Sequence, residues 1–234
     1  MKKINSSKLI WKNKSLIKKI FDLFGHENIF FVGGAVRTAL LNGNLEDLDL
    51  AVKINVGDVK KKLKKANIKF LDKSKGHGTV TILSKKYCIE ITSMRKDKET
   101  YGRKAKVEFI SDIFEDSCRR DFTINSIYSS YNGLLYDPHN GIDDLKNCTV
   151  KFIGDPKVRI KEDYLRILRY FRFLSYYGCS LKLIDKDSLN ATLQYFNLIS
   201  NISLERKSYE FFKLLSGSNA NEVLLLMKKK KILK

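Results

Sequence analysis

Two hydrophobic rhythms divide this chain. The first half carries short apolar runs and period-two alternation, the signature of strands. The second half places apolar residues three and four apart, as on helices. Predicted strands fall at 29–32, 47–52, 79–83, 87–94 and 107–110, and predicted helices at 35–41, 58–66 and 113–128. From about residue 161 onward the pattern is helical throughout. The first 21 residues read as an amphipathic helix with Leu9, Ile10, Leu16, Ile17, Ile20 and Phe21 on its inner side. The prolines, Pro138 and Pro156, each follow an aspartate and mark turns between the two halves. The layout predicts an α+β protein: a basic N-terminal helix at 1–27, a head at 28–150 with a small mixed or antiparallel sheet flanked by helices, a helical segment at 151–216 and a short basic helical tail at 217–234.

Composition narrows the class. With 43% hydrophobic residues and 11% aromatics the chain is globular, not disordered. No apolar run approaches the ~18 residues that span a bilayer, so neither a membrane span nor a membrane partner is expected. The lysine-rich first 21 residues lack the apolar core of a secretory signal, although an organelle transit peptide shares their basic, acid-free composition. The four cysteines (88, 118, 148 and 179) form no CxxC pair and do not cluster with the three histidines. Zinc and a disulfide framework are both poorly supported, and a reducing cytoplasm is the simple inference. The net charge of +19 predicts a polyanionic partner and salt-sensitive binding. A genome bias toward Lys, Ile and Asn codons also contributes to that charge.

Chemistry concentrates in a few places. The predicted strand 29–32 delivers Gly33-Gly34, whose backbone can take strained angles and approach a phosphate chain closely. Asp47 and Asp49 alternate with Leu48 and Leu50, so on a strand both carboxylates share a face. Two such acids beside a phosphate turn suit Mg²⁺, which takes one or two carboxylates plus substrate phosphates; a hairpin with two solvated acids is the bland alternative. Glu90, on the predicted strand 87–94, offers a third carboxylate for two-metal nucleotidyl transfer. In Arg119-Arg120-Asp121-Phe122-Thr123-Ile124-Asn125, arginine forks suit phosphate and Asp121 can hold such a fork; a charged helix start is the alternative. Asp163 and Arg166, read as one helix, lie on adjoining faces, with Arg169 and Arg172 continuing a slanting stripe. A carboxylate and a guanidinium together match the amine and ring nitrogen shared by cytosine and adenine. The competing reading is a helical salt bridge.

In order and spacing these blocks resemble the class II tRNA nucleotidyltransferase and bacterial poly(A) polymerase family. GGAVR with DLD, IEITSMR, RRDFTIN, Asp137-Pro138 with Gly141 and Asp144-Leu145, EDYLRILRYFRF, and Ser203-Leu204-Glu205-Arg206 with Glu210 and Lys213 follow its motifs between about residues 30 and 215. The run 151–173 is most similar to bacterial CCA-adding enzymes. The resemblance implies a nucleotidyltransferase head followed by a base-selecting neck. Asp47 and Asp49 would bind metal, with Glu90 as the third catalytic acid. Gly33, Gly34, Arg37, Arg120, Asp121 and Asn125 would serve the nucleotide, and Asp163, Arg166, Arg169 and Arg172 would select CTP and then ATP. It implies Mg²⁺, the tRNA 3′ end, CTP and ATP as partners, cytoplasmic C-C-A addition, and a flexible loop at 96–106 around Gly102. A relative adding only A, a poly(A) polymerase and a non-catalytic RNA-binding protein are the alternatives. The chain departs from the family at Thr38, where Asp usually follows GGxVR, and it ends soon after the last motif. A fragment, a minimal enzyme leaning on its charge, and an oligomer or partner that supplies the missing grip are three readings of that ending.

Overall fold

The computed structural model describes residues 2–43, 47–72, 78–84, 87–101, 104–178 and 183–232. The chain divides into two compact units. The first comprises Met1–Glu99, Lys106–Arg120 and Asn125–His139; the second comprises Thr100–Ala105, Asp121–Ile124 and Asn140–Lys234.

In the first unit, α1 (Ser15–Phe24) precedes β1 (Ile29–Val32), α2 (Gly34–Leu40), β2 (Leu48–Val52), α3 (Val56–Lys65), β3 (Thr79–Leu83) and β4 (Cys88–Ser93). β5 (Arg95–Tyr101) and β6 (Lys104–Phe109) pair as a separate two-stranded sheet, followed by α4 (Ile113–Cys118), β7 (Tyr128–Ser129) and β8 (Leu135–Tyr136). The main sheet runs β3-β4-β2-β1-β7-β8. Among the described residues β2 pairs with β4 in parallel, and the other pairings of this sheet are antiparallel. All four residues of β1 are buried, as a central strand covered on both faces requires. α1 buries Ile17, Ile20, Phe21 and Phe24 at helical spacing and stops at Gly25, whose φ of 86° suits glycine. α3 starts where Asn55 accepts from the Asp58 amide at 3.0 Å, and buries Val59 and Leu63.

The predicted strands at 29–32 and 79–83 match β1 and β3, while β2, β4 and β6 shift by a few residues at their ends. Three expectations need correction. The helix predicted at 113–128 ends at Cys118. Its continuation is claimed by other partners: the Phe122 amide donates to Asp121 Oδ1 at 2.9 Å, and the Thr123 amide to the Lys151 carbonyl at 3.0 Å. The segment expected as a flexible loop at 96–106 is instead two paired strands as far as it is described, and Gly102 lies outside the described residues. The N-terminal helix begins only at Ser15. Before it, the Ile4 amide donates to the Gly133 carbonyl and the Leu135 amide to the Lys2 carbonyl, so the leader extends the β8 edge. Leu16 and Ile10 are half-buried, and Trp11 takes the inner place: it is fully buried, stacks on Phe31 at 4.0 Å and donates Nε1–H to the Tyr131 carbonyl at 2.9 Å.

The second unit contains α5 (Gly141–Lys146), α6 (Pro156–Glu162), α7 (Leu165–Tyr177), α8 (Lys186–Gln194), α9 (Leu204–Leu215) and α10 (Ala220–Lys229). Phe122 packs on Phe152 and Phe173 with ring centroids 4.7 and 5.1 Å away, and Tyr170 stacks on Phe152 at 5.7 Å. Pro156 opens α6 at the position that needs no amide, behind the Asp155 cap. The helix expected to run unbroken from 161 is interrupted at Asp163, which is extended at φ −152° and ψ 109°. Asp163 Oδ1 accepts from the Leu165 amide at 3.1 Å and starts α7 anew. Among the cysteines, Cys88 and Cys118 are free, but Cys148 is disulfide-bonded, contrary to the expectation of no disulfide. No helix among the described residues is long and apolar enough to cross a membrane.

Replacing Trp11 by Ala removes a buried indole and its hydrogen bond. A loss of about 3 kcal/mol is expected, read as a lowered urea midpoint with the far-ultraviolet spectrum otherwise retained.

Candidate active site

β1 ends in a turn that only glycine adopts readily: Gly33 has φ 62° and ψ −116°. A methyl group on Gly33 would lie 3.9 Å from Asp49 Oδ2, 3.8 Å from Arg37 Nη1 and 3.6 Å from the Asn125 carbonyl oxygen; one on Gly34 would lie 3.7 Å from Asp49 Oδ2. The turn therefore lies against both a carboxylate and a guanidinium. Arg37, one helical turn into α2, is buried and donates Nη1–H to the Asn125 side-chain oxygen. Asn125 buttresses this arginine in a chain that has Thr38 where the family usually has Asp.

The acids are set by strand register. Asp49 is the parallel partner of Glu90, so both side chains stand on one face of β2 and β4. Asp47 lies just before β2, is exposed, and accepts from the Cys88 amide through Oδ1 at 3.3 Å. Among the described residues no group of three or more His, Cys, Asp and Glu side chains is gathered to hold a metal alone. Two hard carboxylates in register with a third close in sequence still suit a divalent cation whose coordination is completed by phosphates.

Arg119 and Arg120 meet a partner that sequence reading had passed over. Asp116 is fully buried; Oδ1 accepts from Arg119 Nε at 2.8 Å and from the Arg95 amide at 3.1 Å, and Oδ2 from Arg120 Nη2 at 3.1 Å. The Tyr128 hydroxyl donates to Asp116 Oδ2 at 2.6 Å and accepts from Arg120 Nε at 2.9 Å. Burial pushes the Asp116 carboxyl up, but the charges of Arg120 and Arg119 and the donors around it outweigh burial and hold it well below the usual carboxylate range. Burial likewise lowers Arg120, and Tyr128 and Asp116 more than reverse that. The spacing of Asp116 three and four residues before the arginines was the readable signal.

The second unit carries the remaining candidates. Arg169 donates Nε–H to Asp121 Oδ2 at 2.7 Å and lies 3.8 Å from Glu210; Arg172 lies 3.0 Å from Glu210 and 4.7 Å from the Phe173 centroid. Glu210 is buried, so it anchors two guanidinium groups from below. Burial lowers the Arg169 pKa, and Asp121 and Glu210 raise it above its ordinary value. Asp163 and Arg166 are not one pair on one helix face. Asp163 precedes α7 and binds Arg206 Nη2 through Oδ2 at 3.0 Å; Arg166 donates to Glu162 and to the Arg159 carbonyl at 2.7 Å. Arg159 also binds Glu162 at 2.5 Å, and burial followed by the Arg166 charge lowers its pKa. Glu162 and Arg206 were missed as supports, although Glu162 sits four residues before Arg166.

Replacing Asp116 by Asn leaves two guanidinium groups without their shared counter-charge, and about 3 kcal/mol of stability at pH 7 is expected to go. The folded-state pKa of Asp116 is depressed, so its contribution is full above the unfolded value of 3.8 and is lost as pH falls through the lower folded value. Denaturant unfolding from pH 7 to 2 checks this: the variant is less stable at pH 7, and the difference shrinks only below about pH 4.

Residues 29–151 match the family described as the poly A polymerase head domain, and residues 183–234 match the probable RNA and SrmB-binding site of polymerase A. The Homo sapiens protein named CCA tRNA nucleotidyltransferase 1, mitochondrial, is 39% identical over 220 residues, which are 90% of this chain and 49% of that protein. The crystal structure of the Bacillus stearothermophilus CCA-adding enzyme in complex with CTP superposes with a TM-score of 0.77 at 30% identity, over 92% of this chain and 52% of that one. A tRNA nucleotidyltransferase complexed with a primer tRNA and an incoming ATP analog gives a TM-score of 0.71 at 26% identity, over 88% and 58%. The chain thus spans about half the length of the curated relatives it matches. With the head-domain match covering the glycine turn and all three acids, the chain belongs to the tRNA nucleotidyltransferase and poly(A) polymerase family.

Proposed function

We propose that this protein adds C, C and A to tRNA 3′ ends, using CTP and ATP without a nucleic-acid template. The observation that carries this reading is the register of Asp49 on Glu90 beside the Gly33–Gly34 turn, with buried Arg37 behind it. In the reaction the tRNA 3′ oxygen forms a bond to the α-phosphorus, the bond from that phosphorus to the bridging oxygen breaks, and pyrophosphate leaves. Mg²⁺ held by Asp47 and Asp49 would lower the pKa of the attacking hydroxyl and neutralise the leaving group. Glu90 is the third acid and offers an acceptor for the hydroxyl proton. Gly33 and Gly34 let the triphosphate approach the backbone, and Arg37 and Arg120 offer planar donors to its oxygens. Asn125 fixes the Arg37 plane and Asp116 that of Arg120, so the positive groups face the phosphates preorganised.

In the second unit, Asp163 accepts from the exocyclic amine of cytosine or adenine and Arg166 donates to the adjacent ring nitrogen. Uracil and guanine present a carbonyl to the carboxylate and are refused. Arg206 holds Asp163 and Glu162 holds Arg166, which gives each half of the reader its own support. Arg169 and Arg172 brace this surface through Asp121 and Glu210. Asp121, with both oxygens engaged by Phe122 and Arg169, acts as a positioning residue. A cytoplasmic place fits the tRNA substrate and the free thiols of Cys88 and Cys118; the disulfide at Cys148 points the other way.

Purified protein is offered tRNA lacking its 3′ end, with CTP, ATP or both. Completion of CCA with both nucleotides is expected. Addition of a single A, only to tRNA already ending in CC, would instead identify an A-adding enzyme. Asp49→Ala is expected to lower incorporation by roughly 1,000-fold, about 4 kcal/mol of barrier, while retaining most tRNA binding. Asp163→Ala should relax the choice of base more than it weakens triphosphate binding, measured as kcat/KM for all four nucleotides; an equal loss for all four would make Asp163 merely structural.

A further inference from the structure

Unit 1 carries a strongly charged face that the nucleotide site does not use. Two lysine side chains link α1 to α3 in antiparallel order: Lys19 Nζ donates to the Ala66 carbonyl at 3.2 Å, and Lys62 Nζ to the Leu23 carbonyl at 3.1 Å. Each helix buries an apolar stripe and turns lysines outward. The charges along this helix pair are segregated. At the end where α1 finishes and α3 starts, acids answer the lysines: Asp22 takes Lys18 at 2.7 Å and His26 at 3.0 Å, and Asp58 takes Lys61 at 3.4 Å. At the other end stand Lys14, which precedes α1, and the exposed Lys64, Lys65 and Lys69. Asp72 at that end is taken by Lys60 at 2.5 Å.

Topology fixes where this lysine-rich end lies within the unit. α3 leaves the end of β2 that pairs with Ile29 and runs back along the sheet. The chain after it reaches Leu71, which bridges to Thr81; Thr81 pairs with Glu90, and Glu90 with Asp49. These lysines, which pair with no acid among the described residues, therefore sit toward the same end of the sheet as Asp49 and Glu90.

We propose that the end of this helix pair marked by Lys14, Lys64, Lys65 and Lys69 is an RNA-docking surface for the phosphate backbone of the substrate upstream of its reacting 3′ end. The proposal rests on the nucleotidyl-transfer reading above. Flexible ammonium groups carry no base information, which suits the duplex stem of a tRNA whatever its sequence. A 3′ end held at Asp49 places the preceding phosphates next to the sheet end where these lysines gather. Such a surface adds affinity on the head itself.

The test is the salt dependence of tRNA binding, followed by fluorescence anisotropy. Each phosphate neutralised contributes about 0.9 to the slope of log K against log salt. The triple variant Lys64→Gln, Lys65→Gln, Lys69→Gln is expected to flatten the slope by about 2 to 3. The acid-paired double variant Lys18→Gln, Lys61→Gln is expected to change it by less than about 1. Equal flattening by both, or none by the triple variant, overturns the docking surface while CCA addition by the wild type still stands. No binding of tRNA by the wild type overturns both readings. Loss of binding to anionic phospholipid vesicles in the triple variant, with tRNA binding unchanged, would assign the surface to a membrane and overturn the proposal.

Discussion

Asp49 and Glu90 stand opposite one another on paired strands, and like charges in that relation repel. A fold selected for stability alone would not keep them there. The parallel pairing of β2 with β4 imposes the juxtaposition, because a parallel register brings two residues from distant parts of the chain to one level on one face. Much of the first unit can be read as compensation for it. The glycine turn lies close to both the Arg37 guanidinium and Asp49, and a bound cation with its phosphates would turn repulsion into attraction. The acids are thus poised for a positively charged ligand, and the site is at its most stable when loaded.

A second constraint follows from the first. Positive groups that answer phosphates must be held still, and a half-buried arginine is costly unless a carboxylate stands behind it. Both units apply the same remedy. Asp116 takes Arg119 and Arg120, Glu210 takes Arg169 and Arg172, and Glu162 takes Arg159 and Arg166. In each case one acid serves two arginines; at Asp116 and Glu162 this leaves a net positive charge at a fixed place, while at Glu210 a second acid, Asp121, also takes Arg169. Arg37 is the variation: a neutral amide, Asn125, fixes its plane without cancelling its charge.

The candidate site residues were legible in the sequence because their types and spacing are local. Gly33-Gly34, the alternation at Asp47 and Asp49, and the arginine-rich helix could all be read within a window of a few residues. What could not be read was the partner of each. For Asp116, nothing local reveals that it is fully buried. Asp163 and Arg166 suggested adjoining faces of one helix, because helical periodicity gives no warning that the Asp163 carboxylate will bond the Leu165 amide at the start of the next helix instead of extending the last. The helix expected past Cys118 failed for a related reason: the Phe122 and Thr123 amides find bonds beyond the helix, and tertiary pairing overrode the local pattern. The N-terminal leader departs likewise, because the open edge of β8 offers backbone partners that an isolated helix turn lacks.

Arginine and lysine divide the positive charge by task. Each described arginine in the candidate sites has its planar fork anchored by a carboxylate or an amide. Lysines carry most of the +19 charge and sit on exposed helix faces, where a mobile point charge attracts without specifying. Codon bias can raise the number of lysines, but it does not by itself sort them. On the α1–α3 pair the acids Asp22 and Asp58 collect at one end, while at the end level with Asp49 and Glu90 the acid among the described lysine neighbours is Asp72, already taken by Lys60. A random scatter of lysines would leave compensation even along both helices. An uneven distribution gives the surface a direction, and here it points along the sheet toward Asp49 and Glu90.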